Sequence, residues 1–303
     1  MGEIVQTVVY GLTIGSVYVL VACGYNLVFA TTRIVNFAQG ALVVVGGYLA
    51  WWVYAELAGG NVPLVLVTLV IVVLTGGVGV LVDLVAITPL GRFDPVTNIS
   101  WLVTTFAAGI VAQELVAKTI SDTGQTLPPL ADSILGWQGS VVADVAIQPA
   151  DVVLVVTTLA AVAGLGAFQS RTRIGGAFRA VAQDRQAASL MGINPRRVVM
   201  LSFALAGALA GLSAVLVAPR LGVRFNIVLN LGVLGFVAAV LGGLGSIKGA
   251  VIGGYAVGFV DGLVGSITSD ATAWQPIVVF ALFVIVLALR PTGLLGRPQV
   301  EKV

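Results

Sequence analysis

Long apolar runs recur along almost the whole chain and constrain its fold more than any other feature. Runs of about 18 or more apolar residues are long enough to cross the hydrocarbon core of a bilayer as helices. The sequence contains about nine such segments, at residues 4–30, 37–55, 63–87, 96–116, 150–168, 198–218, 228–244, 250–264 and 274–289. Two regions, 37–55 and 228–264, are short or glycine-rich, which favours broken or re-entrant helices there. We therefore predict an all-α, polytopic transmembrane helix bundle with about eight or nine spans.

The composition excludes a soluble fold. Hydrophobic residues make up 58% of the chain and charged residues only 9%, against roughly 45–50% and 25% in soluble globular domains. Because no soluble core could hide this much apolar surface, we treat residues 1–303 as one membrane domain. The net charge of +2 is small, and its excess falls on one set of loops. We therefore expect membrane lipid, and no nucleic acid, as a partner.

Few residues in the chain suit catalysis or metal binding. Histidine is absent and Cys23 is the only cysteine, so the chain can form neither an internal disulfide nor a cysteine-histidine metal cluster. The sequence has no Gly-x4-Gly-Lys-Ser/Thr motif, so any energy from ATP would have to come from a partner. We expect no enzyme activity and no cofactor.

Positive residues are shared very unequally between the two sets of loops that nine crossings would create. One side would carry Arg33, Arg92, Arg171, Arg173, Arg179, Arg185, Arg196, Arg197, Lys248, Arg290, Arg297 and Lys302. The other would carry Lys118, Arg220 and Arg224, together with Glu3, Glu56, Asp122, Asp132, Asp144 and Asp270. By the positive-inside rule the N-terminus is outside and the C-terminus is cytoplasmic. Residues 118–149 then form an external loop and residues 169–197 a cytoplasmic one.

Four ionisable residues lie near the predicted ends of spans. Asp83 and Asp261 are expected to be solvated or to cap a helix there. Arg220 and Arg224 break the charge rule by lying outside, where they either meet acidic residues of an external partner or face water.

The cytoplasmic loop contains a predicted helix at residues 177–191. Its residues are strong helix formers, and Gly192 followed by Asn194-Pro195 is a stop signal. One face of this helix is apolar or small and the other is charged. Two interpretations remain open, an interfacial helix lying on the inner leaflet or a helix that docks into a groove of a soluble partner.

Three motifs resemble those of LivH-type branched-chain amino acid permeases, which are membrane subunits of bacterial ABC importers. The segment 186–192, Gln-Ala-Ala-Ser-Leu-Met-Gly, resembles the Glu-Ala-Ala-x3-Gly signature, with Gln186 in place of glutamate. Residues 11–25 followed by Arg-Ile-Val-Asn-Phe-Ala-Gln-Gly at 33–40 resemble the opening of these permeases. The glycine-rich segment 242–254 resembles their C-terminal half. The three matches occur in the family's order.

The resemblance implies an ATP-driven importer in the bacterial cytoplasmic (inner) membrane. Its other parts would be a second homologous permease in a heterodimer, two cytoplasmic ABC ATPase subunits and an extracellular or periplasmic solute-binding protein. The two permeases would form the path for branched-chain or other hydrophobic amino acids. Amides, urea and small aromatic acids are alternative solutes.

The expected contact with the ATPase lies in the cytoplasmic helix. Small Ala187, Ala188 and Gly192 would form one flat patch that permits close approach of the partner. Polar residues would set the register of the contact: Arg179, Gln183, Asp184 and Gln186.

Polar residues within spans are candidates for the translocation path or its gate. Asn36 and Gln39 follow Arg33 at the inner end of a span, and Asn26 and Gln113 invite the same interpretation. For each of them the alternative is hydrogen bonding between helices.

Glycines within the spans also allow two interpretations. One segment is predicted to line the path as an unwound hinge, namely Gly242, Gly243, Gly245 and Ser246, because broken helices border transport cavities. The alternative is close helix packing, which glycines four residues apart, such as Gly254, Gly258 and Gly262, allow in lipid.

Two other function classes compete with a permease subunit. An ion-coupled secondary transporter also fits a bundle with broken helices, but it normally needs an ionisable site near the midplane. The chain has no histidine, and its predicted spans place no Asp or Glu centrally. A membrane-embedded enzyme would need a nucleophile with its base, or a metal cluster, and the sequence suggests neither.

Overall fold

The computed structural model describes residues 2–91, 99–121, 123–130, 140–142, 145–268 and 271–296. The helices are α1 Gly2–Thr32, α2 Gln39–Trp52, α3 Leu64–Val82, α4 Ser100–Thr119, α5 Pro149–Arg171, α6 Arg173–Gln183, α7 Arg185–Leu190, α8 Pro195–Leu221, α9 Phe225–Gly242, α10 Ile247–Ile267 and α11 Ala271–Leu289. Two of them continue in other helical geometries, α2 as a π-helix over Val53–Leu57 and α3 as a π-helix over Asp83–Ile87 and a 3-10 turn over Thr88–Leu90.

The prediction of an all-α membrane bundle is confirmed. Among the described residues, seven helices are long and apolar enough to cross a membrane, and α9 and α11 contribute two shorter apolar stretches, Asn230–Gly242 and Ala273–Leu289. Each predicted apolar run therefore contains a helix, whereas the number of crossings and the sides of the termini stay predictions. The sequence did not indicate the small antiparallel hairpin of β1 (Ser140–Val142) and β2 (Val145–Ile147) that precedes α5.

Several charges used for the topology lie outside the described residues. They are Arg92, Asp122, Asp132, Asp144, Asp270, Arg297 and Lys302. The external loop predicted at 118–149 is therefore described only in part.

Helix α1 is the central element of the bundle and packs along α10 through glycines. A Cβ atom at Gly254 would lie 2.7 Å from the backbone nitrogen of Val19, and one at Gly262 would lie 3.0 Å from the carbonyl oxygen of Thr7. Between them, a Cβ at Gly258 would overlap the backbone of Gly15. The predicted close packing of these glycines is confirmed, because each leaves space that the facing backbone fills.

Helix α2 begins inside the bundle. The side chain of Gln39, at its first residue, occupies the space left by Gly24, about two turns before α1 ends. At its other end the Tyr48 hydroxyl donates to the carbonyl oxygen of Thr123, 3.1 Å away in the loop after α4. The turn at 33–38 therefore folds back beside α1, as expected for a helix that starts in the interior.

The expectation that Asp83 and Asp261 are solvated is wrong. Both side chains are buried, and Asp261 accepts a 2.9 Å hydrogen bond from the Tyr18 hydroxyl of α1. Arg220 likewise neither faces water alone nor awaits an external partner, because it forms a salt bridge with Asp151 of α5. A carboxylate within a bundle stabilises it only when neighbouring helices supply its partners, as Tyr18 does for Asp261 and Arg220 does for Asp151.

Cysteine labelling tests the predicted topology, because the native thiol of Cys23 is fully buried and should stay silent. Thr126 and Ser170 are both exposed and lie in the predicted external and cytoplasmic regions. We expect an impermeant maleimide to label Thr126→Cys on intact cells and Ser170→Cys only after permeabilisation. Preferential labelling of Ser170→Cys on intact cells would invert the topology.

Candidate functional site

The segment predicted to be cytoplasmic forms two short helices, so the prediction of one helix over residues 177–191 is wrong. Helix α6 ends at Gln183. The next residue, Asp184, has an extended backbone, and its carboxylate accepts from the N–H groups of Gln186 and Ala187, each at 2.9 Å. Aspartate is a strong N-cap because its short side chain satisfies N–H groups that a helix start leaves unpaired. The local helix propensity on both sides is therefore interrupted at this residue.

The break changes which residues share a face. Phe178 and Val181 of α6 and Ala188 of α7 are buried against the bundle, Ala188 to 3% exposure. Ala187 points the other way and is exposed. The expected flat patch of Ala187, Ala188 and Gly192 is therefore wrong in part, since Ala188 faces the protein interior.

The outermost feature of this segment is an apolar tip, which we define as Leu190 and Met191. These side chains are 89% and 83% exposed. The chain turns back directly after them: Gly192 has φ +82°, and the N–H of Ile193 donates to the carbonyl oxygen of Ala188 at 3.0 Å. No atom lies within 4 Å of the space where a Cβ of Gly192 would be, so the backbone angle and not crowding favours glycine here.

Arg33 connects helix α6 to the turn between α1 and α2. Its Nη2 donates to the carbonyl oxygen of Ala182 in the last turn of α6, at 3.0 Å. Arg33 has φ +62°, a conformation that only few non-glycine residues adopt. The side chain of Arg33 therefore links α6 to the turn at 33–38.

Asn36 and Gln39 lie where α2 begins, and both are fully buried. Asn36 Oδ1 accepts from the N–H of Ala38 at 3.2 Å, and Gln39 Nε2 donates to the carbonyl oxygen of Ala206 at 3.1 Å. Asn36 Nδ2 and Gln39 Oε1 have no hydrogen-bond partner among the described residues. Gln39 thus forms a hydrogen bond between helices, which is the alternative interpretation given above. Asn36 and Gln39 each keep one polar atom without a partner among the described residues.

The glycine-rich segment forms the turn between α9 and α10, and Asn26 of α1 holds it. Asn26 Nδ2 donates to the carbonyl oxygen of Ser246 at 2.8 Å, and Asn26 Oδ1 accepts from the N–H of Gly245 at 3.0 Å. On the other side, the N–H of Leu295 donates to the carbonyl oxygen of Gly242 at 3.0 Å. The segment is a turn that bonds fix from two directions, and Gly242 also packs closely against Gly249. A role in lining the path stays a prediction.

Losing the Asn26 side chain should loosen this turn. Asn26→Ala removes both hydrogen bonds. Because Gly245 is exposed and Ser246 is partly exposed, water replaces the lost partner, and the loss is about 0.5–1.5 kcal/mol for each bond. We expect a clearly lower melting temperature in detergent, whereas Asn61→Ala, at an exposed residue before α3, should melt like the wild type. Equal melting of the two variants would show that the turn is held by other contacts.

The structure also contains a cleft between α1, α2, α4 and α9 that sequence reasoning did not assemble. Its volume is about 130 Å³, and it is lined by Tyr25, Phe37, Gly40, Ala41, Val44, Phe106, Gly109, Ile110, Gln113, Gly232, Val233 and Phe236. Its aromatic wall centres on Phe236, whose ring lies 5.7 Å from that of Tyr25 and 5.8 Å from that of Phe37. Of the polar candidates, only Gln113 lines it, and Gln39 adjoins it through Gly40.

The sequence of this chain matches a family of transport proteins. Residues 7–287 match the family model described as branched-chain amino acid transport system / permease component. The high-affinity branched-chain amino acid permease protein BraD of Pseudomonas aeruginosa is 34% identical over 98% of this chain and 97% of its own length. The corresponding LivH protein of Escherichia coli is 36% identical over the same shares. The probable LivH of Methanocaldococcus jannaschii is 26% identical over 92% of this chain and 88% of its own length.

Proposed function

Because the chain belongs to the family of branched-chain amino acid transport permeases, we propose that it is the membrane-spanning subunit of an ATP-driven importer for branched-chain and similar hydrophobic amino acids. In this proposal it pairs with a second, homologous permease in the bacterial cytoplasmic (inner) membrane. Two cytoplasmic ATPase subunits supply the energy, and an external binding protein delivers the solute.

The observation that carries the proposal is the near full-length match to permeases whose names state high-affinity branched-chain amino acid transport. The relatives do not favour amides, urea or small aromatic acids, nor an ion-coupled carrier. The chain itself is a multi-pass membrane protein without a nucleotide-binding motif in its sequence.

The segment α6–α7 supports an ATPase contact. It presents its apolar tip, Leu190 and Met191, away from the bundle, and adjacent exposed apolar side chains mark a surface that contacts a partner or lipid. The exposed residues Arg179, Gln183, Asp184, Gln186, Ala187 and Gly192 surround the tip and would form the rim. Ala188 would act only indirectly, by seating α7 against the bundle.

The proposed path runs along the interior end of α2. Asn36 and Gln39 would line or gate it through their unpaired polar atoms. The fixed turn at Gly242, Gly243, Gly245 and Ser246 would act as the pivot between α9 and α10.

Copurification tests the proposal. When the chain is expressed with its genomic neighbours and purified by a tag, we expect an ATPase and a second permease to elute with it. We also expect ATP hydrolysis to rise when a loaded solute-binding protein is added. Solute flux driven by an ion gradient through the purified chain alone would contradict the proposal and favour a secondary transporter.

A further inference from the structure

Glycine backbone forms the floor of the cleft beside α2. Gly40 of α2 and Gly232 of α9 touch so closely that a Cβ at Gly232 would lie 2.6 Å from the Cα of Gly40. At Gly109 of α4, a Cβ would lie 3.1 Å from the Cα of Ala38. These glycines let three helices meet behind the cleft, and two of its lining residues, Ile110 and Val233, are exposed.

The walls of the cleft are apolar and aromatic. Tyr25, Phe37, Phe106 and Phe236 contribute rings, and the Tyr25 hydroxyl is already used, since it donates to the carbonyl oxygen of Gly232 at 3.1 Å. Among the described residues, no Asp, Glu, Lys or Arg lines the cleft. Such a site suits an uncharged branched or aromatic side chain and holds it by burial and ring contacts alone.

Polar groups suited to a carboxylate lie at one edge of this cleft. The N–H groups of Gly40 and Ala41, both in the lining, have no backbone acceptor among the described residues. Asn36 is not one of the lining residues, but its amide lies against the same first turn of α2 through its bond to the N–H of Ala38, and its buried Nδ2 has no partner in the described structure. Free N–H groups at a helix start, aided by the helix dipole, favour an anion.

We propose that this cleft is the transit subsite for the solute. The aromatic walls take the apolar side chain of an α-amino acid, and the N–H groups of Gly40 and Ala41 with Asn36 Nδ2 take its carboxylate. The inference rests on the proposed function and adds the residues that touch the solute. Because no charged side chain pairs with the zwitterion, the subsite holds it weakly and releases it onward.

Helix α4 offers a matched pair of residues to test this assignment. Ile110 lines the cleft and is 48% exposed, whereas its neighbour Val111 does not line it and is 57% exposed. In the reconstituted complete transporter, Ile110→Trp should reduce leucine uptake by about tenfold or more, since even one methylene group in an apolar pocket changes discrimination by roughly 10–200-fold. Uptake of alanine should fall less, and Val111→Trp should transport both like the wild type.

The outcomes distinguish a failure of the proposed function from a failure of the subsite assignment. If the wild-type complex moves no amino acid, the proposed function fails and the subsite with it. If the wild type transports leucine but Ile110→Trp and Val111→Trp behave alike, only the subsite is wrong. Loss of the second permease from Ile110→Trp complexes alone would mean that the cleft packs against that chain instead.

A second measurement does not require the protein to fold with a tryptophan at residue 110 or 111. Ile110→Cys and Val111→Cys place thiols inside and outside the cleft, over a background in which Cys23 is fully buried. We expect a leucine-loaded binding protein with ATP to slow maleimide labelling of Ile110→Cys severalfold and to leave Val111→Cys unchanged. Equal labelling of Ile110→Cys with and without leucine would overturn the proposal.

Discussion

Met191→Glu and Leu190→Glu are expected to leave the chain inserted in the membrane but to release the ATPase. Each substitution removes an apolar anchor and puts a carboxylate where the contact excludes water. We expect a loss of about 2–4 kcal/mol in association, in the range of residues that dominate an interface. The measurement is the amount of ATPase that elutes with each tagged variant, together with the ATP hydrolysis that a loaded binding protein stimulates.

Leu57→Glu is the matched control for the apolar tip. Leu57 is also a highly exposed leucine, but it lies at the far end of α2, so this variant should bind the ATPase normally. Arg179→Ala should cost no more than about 1 kcal/mol, because an exposed ion pair contributes little. If Met191→Glu and Leu190→Glu both assemble and transport normally, α6–α7 is not the docking element and the interfacial helix on the inner leaflet becomes the better interpretation.

Gly258→Ala should be severely destabilising although it adds only one methyl group. The new Cβ would overlap the backbone of Gly15 across the packing of α1 and α10, and neither backbone can rotate away as a side chain could. Forcing extra atoms into a packed interior costs about 1–3 kcal/mol, occasionally more. We expect a large fall in melting temperature and a low yield of monodisperse protein in detergent.

Gly265→Ala is the control on the same helix. Apart from its chain neighbours and its own helix backbone, no atom of the described residues lies within 4 Å of a Cβ at Gly265, and alanine favours a helix over glycine by up to about 1 kcal/mol. This variant should be at least as stable as the wild type. If Gly258→Ala had the melting temperature of the wild type, the packing of α1 against α10 would be contradicted.

The helices were predictable because each apolar run is long enough to need a helix in lipid, where every backbone group must find its partner internally. The glycine spacing on α10 likewise predicted close packing. It did not identify α1 as the partner, because the spacing describes one face and leaves open which helix covers it.

The break between α6 and α7 was harder to predict. Residues on both sides of Asp184 are good helix formers, so composition favoured one helix, and only the N-cap preference of aspartate signalled the interruption. With one continuous helix the faces were misplaced. Ala188 was therefore expected at the surface, and Leu190 and Met191 were not singled out.

The cleft could not be predicted from the sequence at all. Tyr25, Phe106 and Phe236 lie on three helices far apart in the chain, and each looks like an ordinary residue of an apolar span. Only the packing of α1, α4 and α9 around the start of α2 brings them together. A glycine next to a polar residue, as at Gln39-Gly40, was the one local signal.

Uptake of leucine by the reconstituted transporter is the most direct test of the proposed ATP-driven import. The chain, its second permease and the ATPase pair would be placed in liposomes, with the binding protein and radiolabelled leucine on the external side and ATP on the ATPase side. The account predicts accumulation of leucine that requires ATP and the binding protein and that persists when ion gradients are dissipated. Accumulation that continues without ATP but stops when the ion gradients are dissipated would contradict it.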